Sequence, residues 1–327
     1  MTRLAIEPKH IDLKIALDAE ALFAGTKTGH LSYIHYGEPR DPDDPVCGGR
    51  EWIKLQNHPD YYVTREERQL IPSVARDLRT LVLVPEIVDL GTGDDDNTRS
   101  KTIPLIKGLF FHTYRAVDFS ESYARQAAAA VRSELDVIAR HHCFDFLRPP
   151  PGLQFPLALL LMSGSTFTNI PASREGGHGQ LQAQFAKVRG LLKSEGYLLV
   201  GFDTNQDEND LHRAYANEPH ARMSTDVLWR IVRDTDITLE PENFEFRGCW
   251  MADEYRYAQM LTVKRNCVIS SPRRSFALQA GQMFNIANSF KFPVDAMAQA
   301  AAGAGWRVRQ VWTQTGRVHY GLFEVAR

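Results

Sequence analysis

The feature that most constrains this chain is an alternation between residues 86 and 203, where apolar runs of strand length alternate with stretches of helical periodicity. Ile87–Leu90, Phe110–Val117, Ala158–Met162 and Tyr197–Phe202 read as strands, with helices predicted over Ser122–His141 and Gln180–Ser194. Strands that follow one another only through a helix pair in parallel, so this stretch specifies an α/β sheet covered on both faces. Gly196 reads as a helix stop before its strand.

After about Asn205 the pattern changes. Phe244–Trp250 and Tyr255–Ser270 alternate like antiparallel strands around an Ala-Asp-Glu turn, and Ser275–Phe284 follows with no helix between, which reads as an inserted β-rich module. The α/β style then returns with a helix over Pro293–Ala302, a stop at Gly303, and a hairpin of Trp306–Thr313 and Val318–Val325. A final helix and hairpin of this kind is a familiar way to finish a seven-stranded α/β sheet.

The first strand ends in "EIVDLGTGDDDNT", where Gly91 and Gly93 flank Thr92 and precede Asp94, Asp95 and Asp96. Glycines let backbone amides approach a ligand closely. A plain tight turn or a dinucleotide site has the same spacing, but three aspartates repel a pyrophosphate. S-adenosylmethionine suits the turn better, because it has no phosphate and carries a positive sulfonium. The same aspartates equally suit a solvated helix cap. Asp118, ending the second strand in "AVDFS", stands where doubly wound enzymes hold an acid for the ribose hydroxyls. Asp145 and Phe146 in "CFDF" are placed for an adenine amino group and ring, or are ordinary loop and core residues.

Formal charge of −2 and mixed composition give no sign of a nucleic-acid partner. The apolar runs are too short to span a bilayer and residues 1–12 lack the regions of a secretory signal, so the expectation is a cytoplasmic protein with a small-molecule partner and an oligomeric state left open. Cys47, Cys143, Cys249 and Cys267 contain no CxxC pair and are expected as free thiols. His141 and His142 beside Asp145 suggest a metal, but adjacent histidines converge poorly on one ion, so none is expected.

"GSTFTN", Gly164–Asn169, gathers these signals. Together with "HPDYYVTREERQLI" (His58–Ile71), "VDLGTG", "CFDF", "HRAYAN" (His212–Asn217) and, more loosely, "ANSFKF" (Ala287–Phe292), it resembles the histidine-specific methyltransferase family, whose members include the histidine Nα-methyltransferase of ergothioneine biosynthesis and fungal dimethylallyltryptophan N-methyltransferases. The resemblance implies a Rossmann-like class I methyltransferase sheet with a second, β-rich α+β substrate domain. Residues 65–204 and 290–327 would form the S-adenosylmethionine-binding core, residues 1–64 and 205–289 the substrate domain, with substrate held between them.

It further implies that Gly91, Thr92, Gly93, Asp118, Asp145, Phe146, Gly164 and Ser165 hold the cofactor. Asn169 and Tyr215 would hold an amino acid's carboxylate, Gly164 would lie beside its amino group, and Tyr61 would line the pocket. Tyr36 aligns loosely with a further tyrosine near the amine, because Gly37–Gly49 reads as an inserted, mobile loop or lid. Tyr61 and Tyr215 also read as packing aromatics, and Asn169 as a helix cap.

One departure bears on the substrate. Where the family segment carries a glutamate that recognises imidazole, this chain has Ala287, followed by Asn288 and Ser289, and a pocket methionine becomes Gln259 unless a one-residue shift restores Met260. An amino acid other than histidine, with an indole or other aromatic ahead of a guanidino group, is therefore expected as the substrate. The alternatives are histidine itself, with Asp253 or Glu254 replacing the acid, side-chain N-methylation of arginine, or a regulatory protein that binds the cofactor without turnover.

Overall fold

The structure is a computed structural model describing residues 12–35, 48–169 and 178–326. Its strands in chain order are β1 (Glu86–Leu90), β2 (Thr113–Asp118), β3 (Ile138–Cys143), β4 (Phe155–Met162), β5 (Leu192–Asp203), β6 (Phe244–Met251), β7 (Arg256–Val263), β8 (Cys267–Ser270), β9 (Ser275–Leu278), β10 (Met283–Phe290), β11 (Trp306–Thr313) and β12 (Val318–Val325). The chain divides into two compact units. One comprises Met1–Asp60, Glu208–Met251 and Arg256–Ser289, the other Tyr61–Asp207, Ala252–Tyr255 and Phe290–Arg327.

The larger unit is built on a seven-stranded sheet in the order β11-β12-β5-β4-β1-β2-β3. β1 pairs in parallel with both β2 and β4, while β12 runs antiparallel to β5 and β11. The order reverses direction between β1 and β4, and in open α/β sheets ligands bind at the carboxyl ends of strands at such a switch point. The two glycine-containing turns, after β1 and after β4, both leave the sheet there. The central strands are apolar on both sides because helices cover both faces: Val88, Leu90, Leu160 and Met162 face one core, Ile87, Leu159 and Leu161 the other, and all are fully buried.

The α/β class and methyltransferase-type sheet agree with the sequence reading; several element boundaries do not. The helix expected to reach His141 ends at Glu134, and Ile138–Cys143 is strand β3. Four of the six β3 residues are exposed, because it is an edge strand, so no apolar run marks it. The second strand starts at Thr113 rather than Phe110, a residue 84% exposed. The helix before β5 stops at Arg189, so β5 begins at Leu192.

The smaller unit contains the three-stranded sheet β10-β7-β6 and the hairpin β8-β9. Tyr255–Ser270 is therefore two strands, β7 and β8, and Ser275–Phe284 splits into β9 and the start of β10. Helices Leu13–Phe23 and Glu218–Asp234 share a core with these strands through Phe23, Leu228, Ile231, Phe244 and Phe284. Each helix starts at a side-chain cap: Asp12 accepts from the Lys14 and Ile15 amides, and Asn217 from the His220 amide.

Candidate active site

In the larger unit, β1 runs into a turn where Gly91 and Gly93 have φ of 76° and 65°, a region costly to residues with a side chain. A Cβ on Gly91 would also stand 3.1 Å from Thr166 Cγ2 and 3.7 Å from the Phe146 ring. The turn after β1, the one after β4 and the Phe146 loop thus approach one another over a bare backbone. Thr92, between the glycines, is buried, with its hydroxyl 3.4 Å from the Gly93 carbonyl.

Asp118 ends β2 and is 4% exposed. Its Oδ2 accepts from the Gly93 amide at 3.2 Å and its Oδ1 from the Ser120 amide at 2.9 Å. The carboxylate thus ties the glycine turn to the start of the next helix. Asp145 is exposed and its Oδ1 caps its own turn, accepting from the Leu147 amide at 2.9 Å. Phe146 packs its ring against the core beside β1 and β4. These groups fit an adenosyl ligand: a carboxylate at the strand end, an aromatic face, and glycines where a side chain would fill the space.

The three aspartates take up structural partners. Asp94 caps the next helical turn by accepting from the Asn97 amide at 2.9 Å, Asp95 pairs with Arg99 at 2.8 Å, and Asp96 with Arg68 at 3.0 Å. The cluster is the solvated cap read in the sequence, a role that leaves the methyl-donor reading of the turn intact.

After β4, Gly164 and Ser165 both adopt left-handed backbone, with φ of 69° and 60°. Serine rarely occupies this region, and such strain persists only where the surroundings impose it. The Ser165 carbonyl accepts from Thr168 Oγ1 at 3.1 Å and from the Asn169 amide at 3.3 Å, tightening the turn. Asn169 Oδ1 accepts from the Phe290 amide at 2.9 Å, so the side chain presents Nδ2, a donor. Tyr61 occupies the N-cap position of helix Tyr62–Leu81 and is 4% exposed.

In the smaller unit, Tyr215 stacks on Tyr257 with centroids 5.1 Å apart, and Tyr257 Oη lies 3.2 Å from His212 Nδ1. Burial pushes the Tyr257 hydroxyl well above the usual phenol range. Ala287 and Ser289 are buried on β10, and Gln259 on β7 is 1% exposed. Gln259 Nε2 is 3.5 Å from Ser289 Oγ, while its Oε1 is buried without a hydrogen-bond partner among the described residues. Asn288 differs: its Oδ1 already accepts from Arg256 Nη1 and Asn285 Nδ2, both at 2.8 Å, so its oxygen is committed to the fold. Tyr36 and residues 37–47 lie outside the described residues, while Gly48–Gln56 is helical.

In the larger unit, the sequence reading missed two buried ionic groups. Lys291 Nζ and the Tyr62 hydroxyl both bond Asp203 Oδ2 at 2.7 Å, with Lys291 and Asp203 fully buried. Glu67 pairs with Lys101 at 2.9 Å and accepts from the Gly164 amide at 2.6 Å and the Tyr320 hydroxyl at 2.8 Å. A signal for Glu67 existed: it falls on the apolar stripe Val63, Leu70, Ile71, Val74, Leu78 of its helix, where a charge needs a partner.

Residues 46–325 match the family model described as histidine-specific methyltransferase, SAM-dependent. The chain belongs to this family. It is an enzyme of the S-adenosylmethionine-dependent methyltransferase class, and S-adenosylmethionine is its cofactor. Among the family's relatives, the histidine N-alpha-methyltransferase of Mycolicibacterium smegmatis (strain ATCC 700084 / mc(2)155) is 26% identical over 309 residues, covering 90% of this chain and 92% of that protein. The protein of the same name from Mycobacterium tuberculosis (strain CDC 1551 / Oshkosh) is 24% identical over 312 residues, covering 88% and 93%. A crystal structure of an S-adenosylmethionine-dependent methyltransferase from Clostridium acetobutylicum ATCC 824 is similar at a TM-score of 0.47 and 10% identity, covering 85% of this chain and 99% of that one, too weak a likeness to bear on function. No helix among the described residues is long and apolar enough to cross a membrane.

Proposed function

We propose that this methyltransferase acts on a free amino acid, at the α-amino nitrogen, and that histidine is not its preferred substrate. S-adenosylmethionine is the cofactor, and Gly91, Thr92, Gly93, Asp118, Asp145, Phe146, Gly164 and Ser165 are the residues proposed to hold it. Asp118 would accept from the ribose hydroxyls, with the Asp145 Oδ2 and the Phe146 ring on the adenine. Bound S-adenosylmethionine supplies a methyl group on a sulfonium.

The residues of this chain then have to orient an amine. Methyl transfer is an in-line displacement, so a lone pair aimed at the methyl matters more than a strong base. Asn169 suits a carboxylate, because with its Oδ1 bonded to the Phe290 amide its Nδ2 is the donor it can offer a ligand. Tyr215 is the second residue assigned to the carboxylate, and Tyr61 and Tyr36 are assigned to the pocket and the amine.

The observation that carries the side-chain preference is Ala287. It is buried where the resemblance puts an imidazole-binding acid, and the buried Gln259 Oε1 offers a neutral acceptor instead. A neutral acceptor suits an N–H of an indole or guanidino group, and the missing carboxylate leaves more volume. The 24% and 26% identities to enzymes named for histidine are consistent with a shared reaction on a different side chain. The test is a labelled-methyl screen of free amino acids against their decarboxylated amines, after calorimetry with S-adenosylhomocysteine. Turnover of amino acids with poor turnover of the amines is expected; equal turnover of an amine lacking the carboxylate removes the proposal.

A further inference from the structure

Glu67 and Lys101 form an ion pair whose side chains are 2% and 3% exposed, within the larger unit and directly behind the turn after β4. Removing two charges from water costs several kcal/mol per ion, and well-packed apolar residues of the same volume commonly serve stability as well or better. The pair is therefore poorly explained as a stabilising device. Its geometry gives another reason for it. Glu67 Oε1 accepts from the backbone amide of Gly164 at 2.6 Å and from the Tyr320 hydroxyl at 2.8 Å, while Oε2 faces Lys101 Nζ at 2.9 Å.

The surroundings are shaped to admit this carboxylate. Gly201 on β5 lies opposite Tyr320 on β12, and a Cβ there would stand 3.0 Å from Glu67 Oε1 and 3.1 Å from the Gly164 nitrogen. Lys101 reaches the site from a single π-helical turn, Thr98–Thr102, which buries Thr98, Lys101 and Thr102 together. Single π-turns inside helices recur at functional sites. Lys101 Nζ ends 3.3 Å from where a Cβ on Gly164 would stand. The held peptide begins the strained pair of left-handed residues, Gly164 and Ser165.

We propose that Glu67, fixed by Lys101 and Tyr320, is a positioning residue for methyl transfer: it clamps the Gly164 peptide and so sets where the Gly164–Ser165 turn presents its backbone to the cofactor and the reacting amine. This rests on the proposed role of that turn. The clamp needs an acceptor at the Glu67 Oε1 position; the charges of Glu67 and Lys101 serve to hold that acceptor in place.

Two charge-free pairs separate positioning from stability. Glu67→Leu/Lys101→Met removes the acceptor, and Glu67→Gln/Lys101→Met keeps it. The leucine pair is expected to melt within a few degrees of the parent, yet to lose kcat by about 100-fold with a smaller change in KM, since a displacement of about 1 Å costs that much in an oriented reaction. The glutamine pair is expected to regain at least about tenfold of the loss. Hydrogen exchange of a peptide spanning Ser163–Asn169 gives a readout independent of any substrate: exchange should quicken at least about tenfold in the leucine pair and recover in the glutamine pair. Glu67→Met/Lys101→Met is a second acceptor-free variant should the leucine pair fail to fold. A folded acceptor-free variant with parental kcat and protection overturns the proposal, as does a glutamine pair no better than the leucine pair. If the parent methylates no amino acid, the proposed substrate fails while the exchange comparison still decides the clamp.

Discussion

Asn169 Oδ1 accepts a hydrogen bond from the Phe290 amide at 2.9 Å, tying the turn after β4 to the last residue of β10. The bond fixes which end of the amide faces outward. A carboxylate only accepts, so the Nδ2 donor of Asn169 is the end it requires. Asn169→Asp replaces that donor with a like charge while retaining an oxygen for Phe290. It should raise KM for the amino acid at least about 10- to 100-fold, the worth of a hydrogen bond to a charged group, with little change in S-adenosylhomocysteine affinity. Calorimetry and steady-state kinetics on one preparation check both halves; an equal loss of cofactor affinity would move Asn169 out of the substrate site.

Asp118 joins its proposed ribose role to the shape of the glycine turn, because its Oδ2 also holds the Gly93 amide. Asp118→Ala should weaken S-adenosylhomocysteine binding by at least about 10- to 100-fold, since even one hydrogen bond to a charged group contributes about 1.5–3 kcal/mol. Asp118→Asn, which keeps one acceptor, should fall between. Unchanged calorimetric affinity in the alanine variant would argue against the assignment.

Asp89, buried on β1, carries a pH-dependent cost. Burial pushes its carboxyl up to about 6, against the hydrogen bonds from Tyr114 and Thr102 and with repulsion from Asp118 adding to the rise. Since the folded state holds this proton more tightly than the unfolded chain, stability declines as pH rises from about 4 to about 6 and the cost is complete above that window, of order 3 kcal/mol for a shift of about two units. Asp89→Asn keeps an oxygen for both donors and removes the titration. Its melting temperature should exceed the parent's at pH 7.5, with the difference shrinking toward pH 4; a difference independent of pH would contradict the account.

How much of this was visible in the sequence follows from where each interaction lies. The glycine turn, Asp118, "CFDF" and "GSTFTN" are local motifs at strand ends, and the structure places all four on the same unit beside the switch point. Strand β3 escaped notice because one side of an edge strand faces solvent, so its sequence "IARHHC" shows no apolar run. β10 escaped because Asn285, Ser289 and Ala287 are buried alongside Phe284 and Ile286, which leaves no alternation to read. The Glu67–Lys101 pair joins residues far apart in the chain, and the π-turn that buries Lys101 changes the spacing on which a helical stripe depends.

On the proposed function, Ala287 is the residue through which substrate choice should be reversible. Ala287→Glu, which restores the acid seen in the family segment, should shift the ratio of kcat/KM for histidine over the preferred amino acid by at least about tenfold toward histidine. Relative rates from mixed substrates read this directly, and a ratio unmoved in a folded variant would separate Ala287 from specificity.

The central claim is a methyltransferase for a free amino acid other than histidine, and one competition experiment tests it most directly. Histidine, tryptophan, tyrosine and arginine are offered together with labelled S-adenosylmethionine, and the methylated nitrogen of each product is located by fragmentation. The account predicts methyl on the α-nitrogen of tryptophan or another non-histidine amino acid in preference to histidine; preferential α-methylation of histidine, or methylation confined to a side-chain nitrogen, would contradict it.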